Sequence, residues 1–385
     1  MNVKPEVETL VRASIRGVAQ IWKTELGLRF SRLPAWTYPQ HQHEPIVAKM
    51  VERLAGVHLN ILTAATQITF TYRSERDTNL ADGWVSLPST IALTTHGFEQ
   101  SVSHTNGDLR VWDGEIVEDY RVGQNSVAEF ALPTCKEPRL VQIWLPQNCP
   151  IDLIDISADA AMIAETEDQQ LLPRWIHYGS SISHCEDADG PLGVWSVAAS
   201  RELGLEIFNL GMGGCANLEQ FSARSIRDLP ADLISLKLGI NVINSANHTL
   251  RTFGPAVHGF IDTIRDGHPD VPILVISPVS CPAHEQNPGP SSTGVDGKVE
   301  GQEFSRHAWI GELTLENIRE TLKALVELRA QDDGKIFYLD GLELFGHTDA
   351  PTMPDGIHPD AAGYRLIAKN FVAKHPRAWV EAARR

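Results

Sequence analysis

Two adjacent serines follow a short apolar run near the middle of the chain. The stretch reads RWIHYGSSIS, so Ser180 and Ser181 come directly after Gly179. A serine at the end of a buried strand either belongs to a turn or serves as a nucleophile when a nearby base takes its proton. The residues alone leave open which of the two hydroxyls would attack. The chemistry also needs a base, a carboxylate and oxyanion donors elsewhere in the chain.

Three later segments contain residues of these types. The glycine cluster of NLGMGGCANL precedes a predicted helix, with Asn217 as its expected N-cap and Gln220 at the capping-box position. The N–H groups of such a turn can bind an anion. LKLGIN ends in Asn241, whose amide is a second oxyanion donor. In DGIHPD, Asp355 and His358 have a spacing that brings a carboxylate to one imidazole nitrogen while the other faces a serine.

The first part of the chain has the alternating pattern of strands. TQITFTYR and RLVQIWLP alternate apolar and polar residues, and Asp113-Gly114 predicts a hairpin between LRVW and EIVEDY. We therefore predict an antiparallel β-sandwich or jelly roll over residues 1–165. The polar stretch ETEDQQ, residues 165–170, is the expected linker.

From Pro173 onward the pattern changes to short apolar runs that alternate with helical ones. The runs are WIHYG, LEIFNL, DLISLKLG, ILVIS and IFYLD. Five strands alternating with helices predict a doubly wound parallel sheet in an α/β domain over residues 173–385. Such sheets bind ligands at the carboxyl ends of their strands. The serine pair, the glycine cluster, Asn241 and the Asp355–His358 pair all lie at or beyond strand ends.

The order of these segments resembles the SGNH (GDSL-type) hydrolase family over roughly residues 174–373. Gly179-Ser180-Ser181-Ile182 occupies the family's Gly-Asp-Ser-Leu position, which implies that Ser181 is the nucleophile and that Ser180 stands where Asp is common. An α/β-hydrolase would instead require G-x-S-x-G, and the fifth residue here is Ser183. The resemblance implies a catalytic triad of Ser181, Asp355 and His358. It also implies an oxyanion hole formed by Ser181, Gly214 and Asn241.

The resemblance implies a serine ester hydrolase that needs neither a metal nor an organic cofactor. A β-sandwich before such a domain resembles certain carbohydrate esterases, so we expect short-chain, acetyl-type esters, acylated sugars among them. The alternatives are a short-chain carboxylesterase or lipase-like acylhydrolase, or a transacylase, acting on non-sugar esters. An alternative of another class is a glycan-binding protein with an inactive scaffold. The intact set of five site residues favours an enzyme.

One long segment, residues 282–309, is rich in glycine, proline and serine and is predicted to cover the site. It contains His284 and Glu285, which we predict as substrate contacts. Its polar composition offers little apolar surface to a long acyl chain. The sequence therefore predicts a preference for short acyl groups.

Charge and cysteine usage exclude several other classes. A net charge of −16 argues against a nucleic-acid partner or an anionic membrane surface. The five cysteines include no CxxC pair, and we expect free thiols. His41 and His43 have no third ligand at recognisable spacing, so we expect a solvated loop rather than a metal site. We see no apolar leader and no 18-residue apolar stretch, and expect a cytoplasmic protein without a membrane span.

Overall fold

The structure is a computed structural model that describes residues 3–81, 83–114, 116–165, 172–304 and 311–383. Within these ranges the chain forms two compact units, residues 3–165 with 189–192, and residues 172–188 with 193–383. The predicted linker lies outside the described residues except for Glu165. The end of the predicted covering segment, residues 305–309, also lies outside them.

The first unit consists mainly of two sheets of antiparallel strands, of six and seven strands. Their strands are β1 (Ile15–Arg16), β2 (Gln20–Lys23), β3 (Leu28–Ser31), β4 (His58–Thr63), β5 (Gln67–Asn79), β6 (Ser89–Thr95), β7 (Phe98–His104), β8 (Asp108–Asp113), β9 (Ile116–Arg121), β10 (Ser126–Ala131), β11 (Arg139–Trp144), β12 (Ile151–Ala158) and β13 (Met162–Ala164). Three helices accompany them, α1 (Pro5–Ser14), α2 (Tyr38–His41) and α3 (Pro45–Glu52).

The alternation read from the sequence produces the core of this unit. Phe70 and Tyr72 of β5 and Val141 and Ile143 of β11 are fully buried in one cluster, although the two strands belong to different sheets. Strands β8 and β9 form the predicted antiparallel hairpin. The β-sandwich prediction is confirmed, with β5–β8 as a parallel pair that the sequence did not indicate.

The second unit contains a five-stranded parallel sheet in the order β15-β14-β16-β17-β20. Its strands are β14 (Arg174–Gly179), β15 (Glu206–Gly211), β16 (Leu233–Lys237), β17 (Ile273–Ile276) and β20 (Ile336–Leu339), and a separate small hairpin is formed by β18 (Ser292–Thr293) and β19 (Val299–Glu300). The helices are α4 (Ser181–His184), α5 (Trp195–Leu203), α6 (Gln220–Asp228), α7 (Ile240–Asn244), α8 (Leu250–Arg265), α9 (Leu315–Arg329), α10 (Ala361–Lys374) and α11 (Arg377–Ala382). The predicted doubly wound sheet is confirmed.

Aromatic packing fixes helices α5, α10 and α11 against this sheet. Trp175 of β14 stacks on Phe371 of α10 with ring centroids 5.2 Å apart, and Trp195 and Trp379 contact the same pair. Trp195 is fully buried and belongs to the core of this unit.

The carboxyl ends of three neighbouring strands meet at one edge of the sheet. Gly179 of β14 is in register with Gly211 of β15, and β14 also pairs with β16. A Cβ at Gly179 would overlap the side chain of Ser183, and one at Gly211 would overlap the backbone of His184. Glycine at these two positions therefore lets α4 pack directly on the strand ends.

Candidate active site

Ser181, His358 and Asp355 form a continuous hydrogen-bonded chain at this edge. The Oγ of Ser181 lies 2.8 Å from Nε2 of His358, and Nδ1 of His358 lies 2.6 Å from Oδ2 of Asp355. The other carboxylate oxygen of Asp355 accepts the N–H groups of Ile357 and His358, at 3.0 and 2.7 Å. Gly356, with φ of +80°, allows the tight turn. The three predicted residues are thus brought together by the loop that directly precedes α10 and by the first residue of α4.

The structure distinguishes the two serines. Ser181 is half-buried and its hydroxyl contacts His358. Ser180 is only 1% exposed, and its Oγ has no hydrogen-bond partner among the described residues. The geometry therefore presents Ser181, and not Ser180, to the imidazole.

Gly214 lies on the turn between β15 and α6, and Asn241 lies in the first turn of α7. The Oδ1 of Asn241 accepts the N–H of Ala216 at 3.1 Å, and its Nδ2 has no partner in the part of the chain that the structure describes. Gly214 has φ of +71°, and its N–H is likewise without an acceptor there. The N–H of Ser181 lies in the first turn of α4, where no acceptor exists within the helix. These three donors are thus without acceptors among the described residues.

The expected capping arrangement at α6 is wrong. The helix begins at Gln220 with Glu219 at its N-cap position, and Leu218 before it has φ of +65°. Asn217 instead donates from Nδ2 to the carbonyl oxygen of Gly214 at 3.4 Å. The turn before α6 is therefore two residues longer than predicted. A bulky residue such as Leu218 rarely adopts the left-handed region, so residue preferences do not predict this turn.

The pKa values of the Asp355–His358 pair move in opposite directions. Burial by itself raises the pKa of Asp355, but the hydrogen bond and charge of His358 outweigh it and hold that pKa at about 2. Burial by itself lowers the pKa of His358, but the hydrogen bond and charge of Asp355 outweigh it, with smaller contributions from Asp187 and Glu186. The net pKa of His358 lies above its ordinary value of 6.5. Asp355 is therefore ionised at neutral pH and makes His358 a stronger base.

His284 and Glu285, the predicted substrate contacts, bind the protein itself. His284 is fully buried, with Nε2 2.7 Å from the Oγ of Ser291. Glu285 accepts two hydrogen bonds from Arg319, at 2.7 and 2.9 Å, and one from the N–H of Cys281 at 2.9 Å. Their polar atoms thus connect the covering segment internally and to Arg319 of α9.

The covering segment also reaches the triad loop. The N–H of Val299, in β19, donates to the carbonyl oxygen of Asp355 at 2.9 Å. Val295, in the loop between β18 and β19, is fully exposed. The described part of this segment thus contacts the loop that carries Asp355.

The cysteines and the histidines His41 and His43 lie outside the hydrogen-bonded chain of Ser181, His358 and Asp355. All five cysteines are free, and burial raises the pKa of the Cys185 thiol. His43 is exposed as expected. The prediction of a solvated loop is wrong for His41, which is buried with Nε2 3.2 Å from the Oγ1 of Thr37.

No group of three or more His, Cys, Asp or Glu within the described ranges is arranged to hold a metal ion. None of the helices in those ranges is long and apolar enough to cross a bilayer.

Comparison with known families agrees with this geometry. The model of the GDSL-like Lipase/Acylhydrolase family matches residues 177–371, which are 195 of the 385 residues. The chain belongs to this family. The matched region runs from within β14 into α10 and so includes all five predicted site residues. As a member of the GDSL-like family, the protein is an ester hydrolase.

Solved structures resemble the GDSL-like protein over nearly its whole length. A salicylyl-acyltransferase from a tetracycline biosynthetic pathway is 24% identical, with a TM-score of 0.75, and the match covers 94% of this chain and 93% of that one. A putative GDSL-like lipase from Bacteroides ovatus is 19% identical, with a TM-score of 0.61 and 93% of each chain covered. A family two carbohydrate esterase from Clostridium thermocellum, in complex with cellohexaose, is 12% identical, with a TM-score of 0.56 and 93% and 97% covered. These likenesses show the fold. A search of curated proteins finds none that matches the sequence significantly.

Proposed function

We propose that the protein is a serine esterase that hydrolyses short-chain, acetyl-type carboxylic esters, including those of acylated sugars, through an acyl-enzyme on Ser181. The observation that carries this proposal is the hydrogen-bonded chain from Ser181 through His358 to Asp355. We assign this chemistry to a catalytic domain over residues 173–385, and an accessory role to the β-sandwich domain over residues 1–165.

In the first half-reaction, Nε2 of His358 takes the proton of the Ser181 hydroxyl as Oγ attacks the acyl carbonyl carbon. The carbonyl oxygen becomes an oxyanion, bound by the N–H groups of Ser181 and Gly214 and by Nδ2 of Asn241. Asp355 keeps the imidazole oriented and stabilises its protonated form. The intermediate collapses when the C–O bond to the alcohol breaks, and His358 gives its proton to the departing alcohol.

In the second half-reaction, water replaces the alcohol. His358 takes a proton from the water as its oxygen attacks the acyl carbon, and the same donors bind the second oxyanion. Ser181 then leaves with the proton returned by His358, and the carboxylic acid is released. Each turnover restores the starting protonation of the site.

Asn241→Ala is expected to lower kcat by roughly 10²–10³-fold, the usual effect of removing one preorganised oxyanion donor. KM should change little because the donor acts on a charge that exists only in the transition state. Steady-state kinetics on nitrophenyl acetate measures both constants. The matched control is Asn370→Ala on α10, which removes an amide whose Nδ2 donates to the carbonyl oxygen of Leu344. An unchanged kcat in Asn241→Ala would make Asn241 a structural residue only.

Acyl-chain length provides the test of the substrate class. The segment beside the triad is polar, so a long chain would gain little of the roughly 0.8 kcal/mol that each buried methylene contributes. We expect nitrophenyl acetate and butyrate to have higher kcat/KM than the decanoate and palmitate. A panel of acetylated sugars, assayed by acetate release, then tests the alcohol portion. If the palmitate is the best substrate, the lipase-like alternative replaces this proposal.

Acyl transfer is the second candidate function, favoured by the full-length likeness to the salicylyl-acyltransferase. Both reactions share the acyl-enzyme and differ in whether water or an alcohol resolves it. Adding increasing concentrations of an alcohol or sugar acceptor to nitrophenyl acetate and measuring free acetate against acetylated acceptor distinguishes them. A hydrolase gives acetate as the main product throughout.

A further inference from the structure

The turn that carries Gly214 has a backbone conformation that its sequence disfavours. It connects β15 to α6 over residues 212–219, and Leu218 within it has φ of +65°. This region of φ is costly for a residue with a branched side chain, and Leu218 is buried. Such a conformation persists only where surrounding contacts determine it.

The carboxylate of Glu219 makes contacts of this kind. Both of its oxygens lie 3.1 Å from the backbone nitrogen of Asn217, and Oε2 also accepts the O–H of Tyr178 at 2.9 Å. Tyr178 is fully buried in β14, the strand that leads directly to Ser181. Glu219 occupies the N-cap position of α6, but its side chain makes no capping hydrogen bond. Its carboxylate therefore ties the turn to the strand instead of starting the helix.

The other side of this turn determines the orientation of Asn241. The N–H of Ala216 donates to Oδ1 of Asn241 at 3.1 Å, which leaves Nδ2 as the free end of the amide. The side chain of Asn217 donates to the carbonyl oxygen of Gly214 at 3.4 Å. The turn over residues 212–219 thus contains Gly214 and contacts Asn241. Glu219 binds the last residues of this turn.

We propose that Glu219 is a positioning residue for the oxyanion hole. Through Asn217 and Tyr178 it holds the turn in the conformation that aims the Gly214 N–H and the Asn241 amide at one point beside Ser181. This inference rests on the proposed function, because it assumes that these donors bind an oxyanion. Glu219 acts through the turn and does not contact the substrate.

Glu219→Ala is expected to lower kcat by roughly 10²–10³-fold, as for the loss of an oxyanion donor, with KM unchanged. Glu219→Gln should retain more activity, because the amide oxygen still accepts the Asn217 N–H and the amide nitrogen donates to the Tyr178 oxygen. Tyr178→Phe, which removes one of the hydrogen bonds, should fall between wild type and Glu219→Ala. Titration of active sites with a fluorophosphonate corrects each kcat for any inactive fraction.

Asp333→Asn is the matched control. Asp333 accepts the N–H of Lys335 at 3.0 Å and binds Arg265 at 2.9 Å, at the opposite, amino end of β20. Its replacement should lower Tm without changing kcat, whereas Glu219→Ala must lower kcat per titrated site.

Two outcomes separate this inference from the proposed function. Full activity in Ser181→Ala would refute the proposed function, and the positioning role with it. An essential Ser181 together with wild-type kcat in Glu219→Ala would refute the positioning role alone. If Glu219→Ala does not fold, wild-type kcat in Tyr178→Phe refutes it equally.

Discussion

Replacing Ser181 by alanine is expected to lower kcat by roughly 10⁵–10⁶-fold, the loss that follows removal of a triad serine. Without Oγ no acyl-enzyme forms, and only the oxyanion donors remain to assist direct attack by water. A fluorophosphonate probe should add one adduct to the wild-type chain, on Ser181, and none to the variant. Intact mass and steady-state kinetics measure the two effects independently.

Ser180→Ala is the matched control, because it removes a hydroxyl from the adjacent residue. The Oγ of Ser180 has no hydrogen-bond partner among the described residues, so its loss should leave labelling and kcat near wild type. The reverse result, with labelling lost in Ser180→Ala and kept in Ser181→Ala, would move the nucleophile to Ser180.

Much of the fold could be predicted because local patterns and long-range packing agree. In β5 the alternating residues that predicted a strand, among them Phe70 and Tyr72, are the ones that are buried. In the second unit each apolar run is a parallel strand, and a parallel sheet brings the carboxyl ends of neighbouring strands to one edge. Ser181 and Asn241 follow β14 and β16, which are neighbours in this sheet.

The parts of the site that could not be predicted depend on contacts between distant segments. His284 and Glu285 follow a strand end, as substrate contacts often do, but Ser291 and Arg319 satisfy their polar atoms. Arg319 lies on α9, and nothing in the local sequence around Glu285 indicates that pairing. The role proposed for Glu219 is hidden in the same way, since its partner Tyr178 is 41 residues away.

The pH dependence of activity should follow the pKa of His358. A general base acts when it is neutral, so activity rises as pH passes upward through the pKa of His358. The ordinary pKa of a histidine side chain is about 6.5. The contact with Asp355 raises the pKa of His358, so the acid limb of kcat/KM should have its midpoint above 6.5.

Asp355→Asn is expected to lower the maximal kcat by about 10⁴-fold. The asparagine Oδ1 can still accept the N–H groups of Ile357 and His358, so the loop should keep its shape. Its Nδ2, however, would donate to Nδ1 of His358. The imidazole proton then lies on Nε2, the nitrogen that must accept the proton of Ser181. The base is therefore held in the wrong tautomer.

The same substitution should move the acid limb of kcat/KM to lower pH. It removes the carboxylate whose hydrogen bond and charge raise the pKa of His358. The burial that lowers this pKa remains, and only the charges of Asp187 and Glu186 still oppose it. The matched control is Asp349→Asn in the same connecting segment, where Oδ2 accepts the N–H of Gly346 at 2.8 Å. That variant should keep the wild-type midpoint and kcat. A wild-type kcat and an unmoved acid limb in Asp355→Asn would show that Asp355 does not act on His358, and the triad would reduce to a Ser181–His358 pair.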